Sequence, residues 1–361
     1  MTDTLLGFFA PWALYAGLLV LHLVLPARRV IGYVRDEHSG ELLRYRLNGL
    51  PVLIVTVLLW LAAGWSGWMP WDWLWLHRWS GLAGAGTLGL LFSCAVVLPA
   101  PSTGRPLLVD LFLGRHFNPQ ALGGRVDAKM FLYLVGATLL ELNLLSFAAH
   151  HWMLFPDDPS PGIALHVCLF SWFVCEYLFF ERVHLYTYDL FAERLGFKLV
   201  WGCLAFYPYF YAVGLWSTAD LPNPHTPPWL LGLYAVTFFT GWSLARGANL
   251  QKFVFKTDPS RAFLGVIPPE TVSDGERALL CNGFWGVSRH VNYVGEVLMA
   301  SGLALALGWP LALGPWLYPL YYVVLLGTRE RDDDRRCAEK YGALWEEYRK
   351  RVPWRILPGI Y

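Results

Sequence analysis

The sequence predicts an all-α fold: a polytopic membrane bundle of about nine to ten transmembrane helices, N-terminus outside and C-terminus cytosolic. Composition is the first reason. The 361 residues are 56% hydrophobic and 16% aromatic but only 15% charged, too apolar a mixture for an ordinary soluble domain. Segment length is the second, because apolar runs near the length of about 20 residues that a bilayer requires recur along the whole chain. The third is the placement of the cations, which fixes the orientation.

In chain order the predicted spans are 5–25, 48–68, 80–99, 131–152, 163–180, 199–217, 228–245, 291–309 and 310–327. A weaker apolar stretch near 262–287 is expected to be a broken or re-entrant helix. Alternating the spans gathers Lys and Arg into the loops 26–47, 100–130, 182–198, 246–290 and 328–361, all on one side. Arg78 alone falls opposite, beside Asp72, Asp157, Asp158 and Asp220. That asymmetry is the positive-inside rule, so the working face is expected to be cytosolic. The chain is expected to form one membrane domain over 1–361, with 1–245 on the substrate side and 246–361 binding a cofactor. The first apolar run is long enough to remain as a span.

The six cysteines show neither metal-ligand spacing nor a disulfide ladder, so no metal is expected. Tryptophans cluster at 60–79 and 310–316, as in an interfacial aromatic belt. The basic residues sit at membrane boundaries, which gives nucleic-acid binding no support.

Polar residues concentrate in blocks with helical spacing. Asn249, Lys252 and Lys256 lie at i, i+3 and i+7, on one side of a helix leaving the membrane. Two ammonium groups one turn apart suit a phosphate-bearing ligand; they equally suit lysines snorkelling at the boundary. In Gly283-Phe-Trp-Gly-Val-Ser-Arg-His-Val-Asn-Tyr-Val-Gly-Glu296, the residues Trp285, Arg289 and Asn292 are expected to share a face, with His290 and Tyr293 beside it. Ionisable groups at that depth need partners or a function. From Arg329 onward, Arg329, Asp333, Arg336 and Lys340 form one expected stripe, and Tyr341, Trp345 and Tyr348 another. A helix so marked can fold back and close a pocket, although a charge run is also what a solvated face looks like.

These blocks resemble the membrane sterol reductase family, which includes the C14, C7 and C24 sterol reductases and the lamin B receptor. The likeness rests on Gly283–Gly295 and on the tail Arg329-Glu-x-x-Asp333-x-x-x-Cys337-x-x-Lys-Tyr-Gly-x-x-Trp-x-x-Tyr348 with Val-Pro-x-Arg-Ile-x-Pro-x-Ile-Tyr361. It continues upstream in Tyr45-Arg-Leu-Asn-Gly-Leu50, Gly114-Arg-His-Phe-Asn-Pro119, Lys129-Met-Phe and Asn249-x-Gln-Lys252. The resemblance implies a ten-helix membrane fold and NADPH-dependent reduction of a carbon–carbon double bond in a sterol or related polycyclic isoprenoid. It implies a cofactor set of Asn249, Lys252, Lys256, Trp285, Asn292, Arg329, Asp333 and Tyr348, and the site is expected to include Arg289, His290 and Tyr293 around it.

The sequence departs from the family mostly where substrate is handled. Phe173-Val-Cys-Glu176 stands where the family has Tyr-Val-x-Asp, so the expected proton-donating tyrosine is a phenylalanine. Cys203, Thr328 and Asp332 replace a family Asp, His and Arg, and Lys256 replaces an Arg. The acid is then expected from Glu181, Tyr177, Tyr188 or Tyr211, with Asp333 as a further catalytic candidate. Two other functions compete. Arg289-His290-x-x-Tyr293-x-Gly-Glu296 is also similar to S-adenosylmethionine-dependent isoprenylcysteine carboxyl methyltransferases, and the missing tyrosine fits a non-catalytic sterol binder. Membrane lipids are the expected surroundings, and a bacterial inner membrane is favoured over the endoplasmic reticulum.

Overall fold

The computed structural model describes residues 2–36 and 39–361. The described residues are dominated by helices, relieved only by short antiparallel hairpins pairing Arg28–Arg35 with Leu42–Leu47, Gln120–Ala121 with Val126–Asp127, and Thr271–Ser273 with Ala278–Leu280. Five helical stretches among the described residues are long and apolar enough to cross a membrane: Thr2–Val24, Arg78–Val97, Ala128–Leu154, Pro161–Phe179 and Phe197–Thr218. Gly49–Trp65 and Val291–Ala306 are shorter apolar helices. Each coincides with a predicted span. Helices Pro228–Thr257 and Leu313–Tyr341 begin at predicted spans and run on into polar sequence.

The chain falls into two compact units, Met1–Asn223 and Pro224–Tyr361. In the first, the helix Ala128–Leu154 is the most enclosed of the five long apolar stretches, with Leu134, Leu140, Leu144 and Phe147 almost fully buried. Its start is fixed by Asp127, whose side chain accepts from the Met130 N–H. Ser160 caps the helix Pro161–Phe179 in the same way, with proline in the first turn where a missing N–H is harmless. The stretch 197–218 is not a continuous α-helix: a π-helical turn occupies Gly202–Phe206.

In the second unit, Pro228–Thr257 packs against Val291–Ala306 through small residues. A Cβ on Gly295 would stand 2.4 Å from the Ala245 backbone nitrogen and 2.5 Å from the Gly241 carbonyl oxygen, so the two backbones meet only because glycine is there.

Three sequence expectations are corrected here. The stretch 262–287 holds no spanning helix; it carries the hairpin Thr271–Ser273/Ala278–Leu280 and a single helical turn, Phe284–Val287. Asp274 explains why, since its carboxylate accepts from the Glu276 and Arg277 N–H groups and closes a turn. Trp285 and Asn292 do not share one helix face, because Ser288 is extended and a new helix begins at Val291. Tyr341 is likewise separated from Trp345 and Tyr348 by Gly342, whose φ of 53° and ψ of −122° suit glycine and end the long helix. The three aromatics still meet, in a cluster built on Val272, Cys281, Leu344, Trp345, Tyr348 and Val352.

Candidate functional site

The second unit collects most of the residues expected to bind a cofactor. Trp285 is anchored by its indole N–H, which donates to the Ala248 carbonyl at 2.9 Å. The Lys252 ammonium lies 5.5 Å from its ring centroid, within cation–π range. The Tyr348 hydroxyl donates to the Trp285 carbonyl at 3.3 Å, and its ring stacks on Trp345. Gln251, between Asn249 and Lys252, braces the turn opposite: its amide donates to the Asn282 carbonyl and accepts from the Phe284 N–H.

A second group follows from the helix that starts at Val291. The Tyr293 hydroxyl donates to Asp333 Oδ2 at 2.6 Å, and the His290 ring stacks on Tyr293 with centroids 4.8 Å apart. Arg329 lies one helical turn before Asp333 and acts on its charge. Burial pushes the Asp333 carboxyl up, against the opposing Tyr293 hydrogen bond and the positive charges of Arg329 and Lys252. Burial first, and then the neighbouring Lys256, push Lys252 down. His290 is lowered to about 4 by burial and by Arg289, so it is a neutral imidazole near pH 7. Lys256 is exposed and has Lys340 as a like-charged neighbour.

Arg289 is placed differently. Its guanidinium donates to Asp334 Oδ1 at 2.9 Å and to the Pro353 carbonyl, and it lies 5.9 Å from the Trp345 ring centroid. Arg355 joins the same network through Asp334 and Glu330, while the Arg289 and His290 N–H groups donate to the Trp354 and Arg355 carbonyls. Arg289 therefore ties the 352–355 tail to the turn before Val291. Asn249 is half-buried on the face of Lys252.

The side chains fit a dinucleotide phosphate. Lys252, Lys256 and Lys340 concentrate positive charge, the half-buried Trp285 offers a ring, and buried polar atoms stand ready. Tyr348, 4% exposed and stacked on Trp345, backs Trp285 from within the cluster. His290 Nε2 and Asn292 Oδ1 are buried without a hydrogen-bond partner, an arrangement that a folded protein rarely tolerates without a ligand or water.

The catalytic candidates of the sequence lie in the first unit, apart from Asp333. Glu181 is buried, 7% exposed, and burial raises it to about 7. One oxygen accepts from the Gly49 N–H at 3.0 Å, so Glu181 also caps the start of Gly49–Trp65, a helix whose own Asn48 makes no side-chain cap. Tyr177 packs on the His184 ring at 4.1 Å, and the half-buried Tyr188 faces Phe191. Phe173 is buried between Phe170 and Tyr177. Sequence reasoning missed Glu141, which is 4% exposed and accepts from the Ser171 hydroxyl at 2.6 Å. The signal was present: it is the one acidic residue inside the apolar run 131–152. Lys129 was matched only as part of a motif. Its buried ammonium donates to the Asp189, Leu190 and Glu193 carbonyls and so shapes the 188–193 segment.

Fold and site together define a multi-pass, all-α membrane protein with a cation-rich polar face on its second unit. The chain belongs to the ergosterol biosynthesis ERG4/ERG24 family, whose model matches residues 3–361. It is 35% identical to the Delta(14)-sterol reductase TM7SF2 of Mus musculus, over 98% of this chain and 86% of that protein. It is 32% identical to the Delta(14)-sterol reductase of Arabidopsis thaliana, over 94% of this chain and 91% of the relative. The Delta(14)-sterol reductase of Methylotuvimicrobium alcaliphilum is 31% identical, over 98% of this chain and 83% of the relative.

Proposed function

We propose that this protein reduces the Δ14 carbon–carbon double bond of a sterol or related polycyclic isoprenoid, with NADPH as the reductant. The similarity to Delta(14)-sterol reductases along nearly the whole chain carries this reading. The chemistry of the second unit supports the choice of cofactor. Lys252 and Lys256 would meet phosphate oxygens, Trp285 would pack against a ring with the buried Tyr348 bracing it from behind, and Asn249, His290, Asn292 and Arg329 would supply polar contacts. Arg289 keeps this wall in place through Asp334 and the tail. When bound, NADPH supplies the hydride.

Reduction of an olefin also needs a proton, and the chain must provide it. Glu181 is the assigned donor: at about 7 it carries its proton for much of the time near neutral pH, in a buried setting. Tyr177 and Tyr188 are the alternate hydroxyls. The Tyr293 hydroxyl donates to Asp333 at 2.6 Å, which orients both groups at the proposed cofactor wall. The face that works is assigned to the cytosol, because the loops 246–290 and 328–361 carry the cations.

The test is turnover. Protein purified in detergent should convert a Δ14-unsaturated sterol to the saturated product with NADPH, and deuterium on the nicotinamide carbon should appear in the product. Sterol binding without turnover would favour a binder, and binding of S-adenosylmethionine in place of NADPH would favour methyl transfer.

A further inference from the structure

The helix Thr2–Val24 ends in an unusual concentration of cations. It is 23 residues long, about 34 Å at 1.5 Å per residue, so a helix crossing a hydrocarbon core of about 30 Å ends among headgroups. Arg46 donates to the His22, Leu23 and Leu25 carbonyls at 3.0, 3.2 and 2.6 Å. Arg125 donates to the Leu23 carbonyl at 3.0 Å. Cations at a helix C-terminus are favourable, and capping accounts for these two guanidinium groups. It does not account for Arg29.

In the hairpin that follows, Arg29 is the direct cross-strand partner of Arg46. Like charges directly opposite one another destabilise a strand pair. Arg29 and Arg125 both act on Arg46, whose pKa is lowered by burial first and then by these two neighbours. Among the described residues, no carboxylate pairs with Arg29, Arg46 or Arg125. The same outer face carries Arg35 and Arg44, with Ile31 at 54% and Leu42 at 41% exposure between them. Apolar side chains alternating with guanidinium groups at the end of a spanning helix match a surface that is greasy on one side and anionic on the other.

From these contacts we infer that Arg29, Arg46 and Arg125 form a binding site for the phosphate of an anionic phospholipid, in the leaflet where the Thr2–Val24 helix ends. The lipid phosphate supplies the missing counter-charge, and Ile31 and Leu42 lie against its acyl region. Arg46 holds the helix end whether or not lipid is bound; Arg29 and Arg125 add the affinity.

The experiment uses the full chain in a non-ionic detergent. Displacement of a fluorescent phosphatidylglycerol is measured with unlabelled phosphatidylglycerol, phosphatidylcholine and inorganic phosphate as competitors. Phosphatidylglycerol should compete at least about tenfold better than phosphatidylcholine, and Arg29→Gln with Arg125→Gln should erase the difference, since one charge-assisted contact is worth about that factor. Arg261→Gln, an exposed position in the second unit, should change nothing. Equal competition by phosphatidylcholine overturns the proposal, as does an unaltered double variant. Displacement by inorganic phosphate as effective as by phosphatidylglycerol overturns it in favour of a free-anion site. Arg29→Glu guards against misfolding as an explanation, because it supplies the anion within the hairpin. It should fold, and its melting temperature should no longer rise when phosphatidylglycerol is added; a melting temperature that still rises as in the wild type overturns the assignment.

Discussion

Removing the two lysines of the Pro228–Thr257 helix should separate NADPH from NADH. Lys252 is half-buried beside Trp285, with its ammonium 5.5 Å from the ring centroid. A charge-assisted contact in such a place contributes roughly 1.5–3 kcal/mol. Lys256 is exposed, so solvent and salt screen it and its share is nearer about 0.5 kcal/mol. Lys252→Ala with Lys256→Ala should therefore weaken NADPH binding by about 2–3.5 kcal/mol, or roughly 30- to 300-fold. NADH, which lacks the 2′-phosphate, should lose less. The two single variants should also respond differently to salt: the Lys256 contribution fades as ionic strength rises, and the Lys252 contribution persists. Calorimetry or fluorescence titration in detergent at low and high salt measures all of this. Equal losses for both nucleotides would refute the assignment of these lysines to the 2′-phosphate, and unchanged NADPH affinity in the double variant would refute their assignment to any phosphate.

Titration and packing supply the remaining predictions. Burial holds Glu181 at about 7, above its ordinary 4.5, so the fold is stabilised by the protonated form. That stability is complete below about 4.5 and is lost as pH rises through about 7, by roughly 3 kcal/mol. Glu181→Gln keeps an acceptor for the Gly49 N–H and should abolish this slope in thermal melts, while removing turnover if Glu181 is the donor. His290 runs the other way. Its stabilising neutral form is complete above about 6.5 and is lost as pH falls through about 4, again by roughly 3 kcal/mol. His290→Phe, which keeps the stack on Tyr293, should flatten acid unfolding; an unchanged acid limb would show that His290 is not the group responsible. Gly295→Ala places a Cβ against two backbones and should destabilise by about 2–3 kcal/mol. Gly327→Ala, with nothing within 4 Å, should be neutral or gain up to about 1 kcal/mol in the same melts.

Much of this architecture is legible in sequence because a bilayer imposes a length on every element. The spans expected at 80–99, 131–152 and 163–180 differ from the observed helices Arg78–Val97, Ala128–Leu154 and Pro161–Phe179 by a few residues at the ends. Hydropathy was less informative where the chain leaves the membrane. The run 262–287 is apolar enough to look helical, but its backbone is turned by Asp274 and ends in a separate helical turn at Phe284. Capping and turn chemistry decide such places, and an averaged hydropathy does not register one aspartate.

The candidate site was legible as residue types but not as an assembly. Helical spacing placed Lys252 and Asp333 correctly on their own helices, yet Trp285 and Tyr348 reach that region only because Ser288 and Gly342 break helices that periodicity would continue. The acidic run shows the same limit most sharply. Asp333 and Asp334 are adjacent in sequence and identical in type, but successive helix positions differ in direction by about 100°. Asp333 accordingly accepts from Tyr293 on the face expected to hold the cofactor, and Asp334 accepts from Arg289 and Arg355, which bind the tail. One carboxylate lies on the face proposed for the cofactor, and the other ties the tail to the turn before Val291. Only the direction of the helix at that point decides which is which.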